Sequence, residues 1–409
     1  MLKRTTEKFY GWRVVAGAFL LAVLGWGVGF YGPPVYLHAV REACGWPISL
    51  VSAAVTVHFL IGAFVVANLP ALYRRFGLPA VTKAGAVSLA IGITGWAIAQ
   101  SPSQLFAATI FSGAGWVAMG AAAINAIVSP WFIRTRPAAL AMAYNGASIG
   151  GVVFSPFWVI AIGAVGFPLA AASIGVVVVI TVWVLADLLF SKSPETMGLT
   201  PDGDPAAANV PPAKANGNPS RDLWRDVRFI TLAAGMALGL FAQIGLIAHL
   251  FSLLVPSLGA QFAGLAMGLA TACAIFGRTL VGWLMPANAD RRFVACASYA
   301  VQIAGSLVFI VAGANVPLLV AAVVLFGVGI GNATSLPPLI AQSEFAKDDV
   351  ARVVPMIVAT GQASYAFAPA AFGLIRDLAP QENAATLFFA AAAFVQVMAI
   401  AAFLAGRRA

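Results

Sequence analysis

The run Thr271-Ala-Cys-Ala-Ile-Phe-Gly-Arg278-Thr-Leu-Val-Gly-Trp-Leu284 is apolar on both sides of a single arginine. Its length and flanks are those of a membrane-crossing helix, for which about 20 apolar residues suffice. A guanidinium in a bilayer core costs roughly 2.5–3.5 kcal/mol on insertion scales, so it should face a wet cavity or a partner. Arginine cannot shed its proton there, and its planar fork matches a carboxylate or a phosphate. The stretch therefore predicts a membrane protein that holds a small anion at Arg278.

Composition agrees. Hydrophobic residues make up 61% and charged residues 9% of the 409, whereas a soluble domain carries about 25% charged residues. Cys44, Cys273 and Cys296 are odd in number and lie in or near apolar runs. They read as small hydrophobes, not as a disulfide set or a metal site. The basic stretch Met1 to Arg13 precedes an apolar run too long for a signal peptide and without an evident cleavage site, which predicts an uncleaved first helix.

Twelve spans are predicted: 13–38, 47–71, 80–100, 104–129, 138–163, 167–190, 229–255, 261–285, 292–313, 315–340, 351–375 and 384–405. Between the sixth and seventh, residues 191–228 hold Pro194, Pro201, Pro205, Pro211, Pro212 and Pro219 among Ala, Asn and Gly. That composition cannot bury a core and predicts a flexible cytoplasmic linker. The fold class is thus an all-α membrane protein. A six-helix bundle over 1–190 and a second over 229–409 are related by pseudo-symmetry.

With the N-terminus in the cytoplasm, twenty of the 23 lysines and arginines fall on that side, as the positive-inside rule requires. Arg41 and Arg376 fall outside, which leaves Arg278 as the only cation placed within a span. Topology accounts for the net charge of +9, so a nucleic-acid partner loses its support. Both termini are expected in the cytoplasm of a multi-pass protein of the cytoplasmic (inner) membrane.

The halves echo each other. Leu72-Tyr-Arg-Arg-Phe76 follows the second span, and Ala289-Asp-Arg-Arg-Phe293 follows the eighth. Phe132 to Pro156 and Phe345 to Pro369 form a second pair, each a charged loop entering a Gly/Ala/Ser-rich helix. Two similar halves around a midplane site are the arrangement of alternating-access carriers.

On these features the chain resembles the major facilitator superfamily. Within it, several stretches are similar to the monocarboxylate transporter and oxalate/formate antiporter branch: Tyr10-Gly-Trp-Arg-Val14, Cys44-Gly-Trp-Pro-Ile48, Trp131-Phe-Ile-Arg-Thr-Arg136, Pro194-Glu-Thr-Met-Gly-Leu-Thr-Pro-Asp-Gly203 and Gly277-Arg278. The resemblance implies carboxylate transport with the helix-eight arginine on the substrate. Three departures matter. Arg74 stands where the superfamily's loop usually has an Asp, and only the second copy keeps Asp290. Ala274 stands where proton-coupled relatives often have an acid, which leaves proton coupling without its usual group. The stretch Met356 to Gly373 lacks the helix-eleven lysine of the oxalate exchangers. One cation suits one carboxylate, so a monoanion is favoured.

The remaining polar residues in apolar spans are candidates for the path. His249 and Gln243 lie in the seventh span, and histidine titrates near neutral pH, so His249 could carry a coupled proton or bond a carboxylate. His58 is a second candidate of the same kind, and His38 reads as interfacial. Asp187, the only acid within a predicted span, is a third candidate for proton coupling. Tyr31 and Tyr36 flank Gly32-Pro33-Pro34, where two prolines break the helix ladder; Tyr31 is assigned to the cavity, while Tyr36 is divided between cavity and outer aromatic belt. Asn125, Tyr144, Asn145, Asn332, Gln362 and Tyr365 either line the pocket or join helices by hydrogen bonds. The runs Tyr144 to Gly151 and Gly327 to Asn332 read as close-packing surfaces, not phosphate cradles. Glu344 to Asp349 reads as a solvated loop that pairs with Arg352 or an opposite loop. Arg74, Arg75, Asp290 and Arg291 are the expected cytoplasmic gate.

No paired catalytic carboxylates, nucleophile elbow or metal-ligand spacing occur, so no enzyme, metal site or cofactor is expected. The sequence reads as a secondary transporter of a small organic monocarboxylate, by proton symport or anion exchange, acting as a monomer in the lipid bilayer. Arg278, Tyr31, Asn125, Tyr144, Gln243, His249, Gln362 and Tyr365 would form its pocket. The rivals are an exporter of amphiphilic compounds on the same fold and a membrane sensor that binds without transporting.

Overall fold

The structure, a computed structural model, describes residues 9–203, 223–286 and 288–407. The central part of the linker, 204–222, lies outside the described residues, as do Lys3, Arg4, Lys8, Lys214, Arg221 and Arg408.

Among the described residues the chain makes twelve helical passes. In chain order these are α1 (Gly11–Cys44), α2 (Ile48–Phe76), α3 (Leu78–Ile98), α4 (Pro102–Trp131), α5 (Arg136–Val165) and α6 (Phe167–Phe190), then α7 (227–258), α8 (260–284), α9 (Arg291–Ala312), α10 (Val316–Ile330 and Leu336–Glu344), α11 (Lys347–Ala366 and Ala368–Leu378) and α12 (Ala384–Gly406). Each lies within a few residues of its expected span. The α5–α6 and α7–α8 turns are so tight that helical bonding nearly runs through them. Gly166 (φ 77°) and Gly259 (φ 74°) make the reversal, a backbone region closed to most side chains.

Three passes are broken. The α1 ladder stops at Phe30–Gly32, and Pro33 and Pro34 open its second half, where the missing N–H groups do no harm. The break in α10 spans Gly331–Ser335, ahead of Pro337 and Pro338. In α11 the break is at Phe367, ahead of Pro369.

By internal packing the chain falls into two units. The first comprises the described residues of Met1–Gly32, Ile61–Phe154 and Ala161–Ala213. The second comprises those of Pro33–Leu60, Ser155–Ile160 and Lys214–Ala409. In the first unit, small residues let helices meet closely: a Cβ at Gly146 or Gly150 of α5 would strike the α1 backbone at Phe19 or Val23. In the second, a Cβ at Gly277 would strike the Val328 carbonyl, and one at Gly331 the Ala274 carbonyl. The two glycine-rich runs are thus the close-packing surfaces expected.

The beginning of the linker is structured. Residues 195–197 and 201–203 form 3-10 turns, and Asp202 (φ 58°) is the one described non-glycine residue in the left-handed region. Its carboxylate accepts from the backbone N–H of Ile133 (2.9 Å), Arg134 (2.8 Å) and Thr135 (3.2 Å), and from the Thr135 hydroxyl. Burial alone would raise this carboxyl's pKa. The hydrogen bonds from Thr135 and from the Arg134 and Ile133 backbone outweigh it and hold the group at about 2. Phe9 packs edge-on against Trp131 and Phe132, and Tyr10 lies 5.3 Å from Trp131. Three of the motifs read from the sequence thus meet at one end of the first unit.

Candidate functional site

Helices α8 and α10 set the position of Arg278. Their glycine seam brings the Gly331 carbonyl, freed by the break in α10, within 2.8 Å of the Arg278 Nε, which donates to it. The residue is exposed on its own unit. Among the described residues no acceptor bonds its terminal nitrogens and no acid pairs with it. The side chain is anchored by one donor while Nη1 and Nη2, the end of the fork, stay open. That geometry suits a planar oxyanion approaching end-on.

The other candidates are dispersed. His249 is fully buried. Its ring bonds Pro369 O (3.0 Å) and the Arg376 guanidinium (3.3 Å), and it packs edge-on to Phe388. Gln243, near it in sequence, is also buried, and its side-chain oxygen has no partner among the described residues. His58 is buried with its ring edge-on to Phe59, and Tyr365 also packs edge-on with Phe59. Gln362 is half-buried in α11. Tyr31 sits in the α1 break with its ring against Phe30. Tyr36 faces neither cavity nor belt: it is buried against Trp158, ring centroids 4.8 Å apart, which corrects both readings of it.

Asn125 and Tyr144 belong to the first unit. Tyr144 donates to the Ala121 carbonyl at 3.0 Å, and Asn125 accepts from Ser129. Asn125, Tyr73, Ser129 and Arg136 line a cavity of about 550 Å³ with Val66, Leu69 and Pro70. The Tyr73 hydroxyl is buried in its wall without a partner among the described residues. Asn145 is exposed and Asn332 is buried.

Several expectations change. Asp187 lies in the widened last turn of α6, Ala186–Phe190, and pairs with Lys83 at 2.5 Å, so its partner is a lysine near the start of α3. Arg376 is half-buried and bonded. It lies in the last turn of α11, and its guanidinium reaches Ser252 (2.6 Å) and the buried His249. Arg278 is therefore not the only cation directed into apolar surroundings. Glu344 is not a solvated residue. It grips the almost fully buried Arg292 through two contacts, Oε1 to Nε at 2.6 Å and Oε2 to Nη2 at 2.8 Å.

The expected gate residues divide by unit. Asp290 caps α9, accepting from the N–H of Arg292 and Phe293, and pairs with Arg407 at 2.5 Å. Arg291 donates to Leu339 O at 2.6 Å. Both are bonded inside their own unit. Arg74 and Arg75 are exposed, and Arg75 lies over the Phe76 ring. The sequence signal for Arg292 was present as the second arginine of a duplicated Arg-Arg-Phe. Which arginine turns inward depends on helix facing and was not readable. Asp202 stood inside a quoted motif without an assigned role.

A family model described as Major Facilitator Superfamily matches residues 15–369. The chain belongs to the Major Facilitator Superfamily. Solved structures of this superfamily member's fold include the nucleoside transporter NupG, 15% identical over 98% of this chain and 99% of that one, with a TM-score of 0.76. A bacterial homolog of the human lysosomal transporter Spinster, in an inward-facing and occupied conformation, is 13% identical over 98% of each chain, with a TM-score of 0.71. No curated protein sequence matches the chain. The superfamily member is a multi-pass membrane transporter of a small molecule and not an enzyme. The same comparisons establish the twelve-helix, two-bundle fold.

Proposed function

We propose that this transporter carries a small organic monocarboxylate, and that Arg278 binds the carboxylate. The observation that carries the reading is the half-anchored guanidinium: Nε held by Gly331 O, with the terminal nitrogens open among the described residues. A charge this costly in a membrane helix, left without an internal counter-ion, is suited to a guest that brings one. With one such fork, a monoanion fits better than a dianion. The resemblance to the monocarboxylate branch points the same way. Gln243, Gln362, Tyr365 and Tyr31, with Asn125 and Tyr144 from the first half, are the proposed remainder of the path.

The proposed cycle is alternating access by two bundles, 1–190 and 229–409, joined through 191–228. Both termini are placed in the cytoplasm on the charge asymmetry of the loops, in an inner membrane. Arg74 and Arg75 are the better gate candidates, since Asp290 and Arg291 are bonded within their own unit.

The test is a thermal-shift screen of small carboxylates on purified wild type and Arg278→Gln. At a ligand concentration 100 times Kd, binding stabilises by about 2.7 kcal/mol. We expect some carboxylates to raise the wild-type melting temperature and none to raise that of the variant. Equal responses would remove the carboxylate reading, and a response to diverse amphiphiles independent of Arg278 would favour an exporter.

A further inference from the structure

We propose that His249 is a proton-binding site, and that the proton releases a polar latch between the first half of α2 and α11. In the second unit, the second segment of α11, Ala368–Leu378, is stitched to residues 48–60 by hydrogen bonds near both of its ends. Asp377 accepts from the Ser49 N–H at 2.8 Å, and the Thr56 hydroxyl accepts from the Ala370 N–H at 3.1 Å. Between them Gly373 leaves room for Ser52, whose hydroxyl lies 3.5 Å from the His249 ring.

His249 sits behind this seam with both ring nitrogens engaged. Its Nε2 lies 3.0 Å from Pro369 O, and a carbonyl can only accept, so Nε2 carries the hydrogen. Its Nδ1 lies 3.3 Å from Nη1 of Arg376, and a guanidinium can only donate, so Nδ1 is bare. The same Nη1 donates to Ser252 Oγ at 2.6 Å. The tautomer is thus fixed by its partners, and the only free proton site on the ring faces a permanent cation. The charged groups bearing on the ring are Arg376 and Asp377 of α11. Ser52 of α2 and Phe388 of α12 are the neutral ones. From α1, His38 packs on Phe251 rather than on this ring, with Arg41 and Glu42 beside it.

A proton on Nδ1 turns an acceptor into a donor that faces a donor. It also sets two positive charges against each other where little water screens them. The protonated ring and the closed latch therefore exclude each other. By linkage, opening the latch must raise the ring's proton affinity. This supplies a coupling ion to a carrier without the acid its relatives use. It rests on the transport reading for its purpose, but its test needs no cargo.

The experiment uses the full chain in proteoliposomes, with Cys44, Cys273 and Cys296 replaced by alanine. Val51→Cys is placed on the fully buried face of α2. Maleimide labelling without substrate is normalised to the exposed position Leu378→Cys. Labelling of Val51→Cys should be at least threefold faster at pH 5.5 than at pH 7.5. His249→Gln keeps an acceptor for Arg376 and a donor for Pro369 but cannot take the proton. It should label slowly at both pH values, and so should Arg376→Gln, whose neutral amide can accept from a protonated Nδ1 and leaves no cation to repel it. A parent protein indifferent to pH, or a pH response that persists in His249→Gln, would overturn the proposal. Neither result depends on whether Arg278 binds an anion.

Discussion

Two arginines in the second unit show how donor use separates a structural cation from the one proposed to bind a ligand. Arg292 uses its whole guanidinium: Glu344 takes Nε and Nη2, Arg228 O also takes Nη2, and Thr231 Oγ and Phe403 O take Nη1. Arg278 uses Nε alone. Removing one partner of a buried ion pair costs about 3–5 kcal/mol, because the other charge is left behind. Arg292→Met should therefore lower the melting temperature strongly in detergent, with or without ligand. Arg278→Gln should lose less, about 1.5–3 kcal/mol at most, since it abandons one hydrogen bond from a charged group to a carbonyl. If Arg278→Gln falls as far as Arg292→Met, Arg278 holds the fold and not a guest.

At the scale of elements, the helices were readable because lipid leaves a spanning segment few options. All twelve lie close to their expected limits, and the Pro33-Pro34 break in α1 was visible in the residues themselves. The breaks in α10 and α11 were not. Prolines 337, 338 and 369 open the following segments, and whether a proline opens a new turn or kinks an old one depends on neighbouring helices. For the same reason the partners of Arg376 were not foreseen. Span length put it at the membrane edge, but its stem reaches back to partners on α7 that sequence spacing does not reveal. His249 and His58 were recognised as unusual, yet nothing local showed that both rings would be buried. The α8–α10 seam gives a test at this scale. At Gly331 a Cβ would fall on the Ala274 carbonyl, whereas at Gly282 it would meet open space. Overpacking costs typically 1–3 kcal/mol, so Gly331→Ala should lower stability and also blunt any carboxylate response, because it displaces the carbonyl that aims Nε. Gly282→Ala should be neutral or stabilising by up to about 1 kcal/mol. Melting curves of the two variants check both statements.

Across the whole molecule, acid should act on one place and spare another. The Asp202 carboxyl, held at about 2, lies below its ordinary value. Its contribution to stability is therefore present above the unfolded value near 4 and is lost only as pH falls through about 2. Between pH 7.5 and 5.5 the hold of Asp202 on Ile133, Arg134 and Thr135 should not change. Hydrogen exchange at those three amides should remain slow at both pH values in wild type, and become fast at both in Asp202→Ala. Loss of protection at pH 5.5 alone would mean that another group secures the loop.

The single bond from Arg278 to the Gly331 carbonyl has a last implication. If Arg278 holds the cargo as proposed, grip and the unwound turn of α10 become one mechanical variable. Should that turn shift by an ångström or two during a cycle, the fork would swing with it. A bond of this sort contributes about 1.5–3 kcal/mol, enough to alter an equilibrium constant roughly ten- to a hundredfold. Capture and let-go could then be set by the same contact, with no further charge required to expel what has been carried.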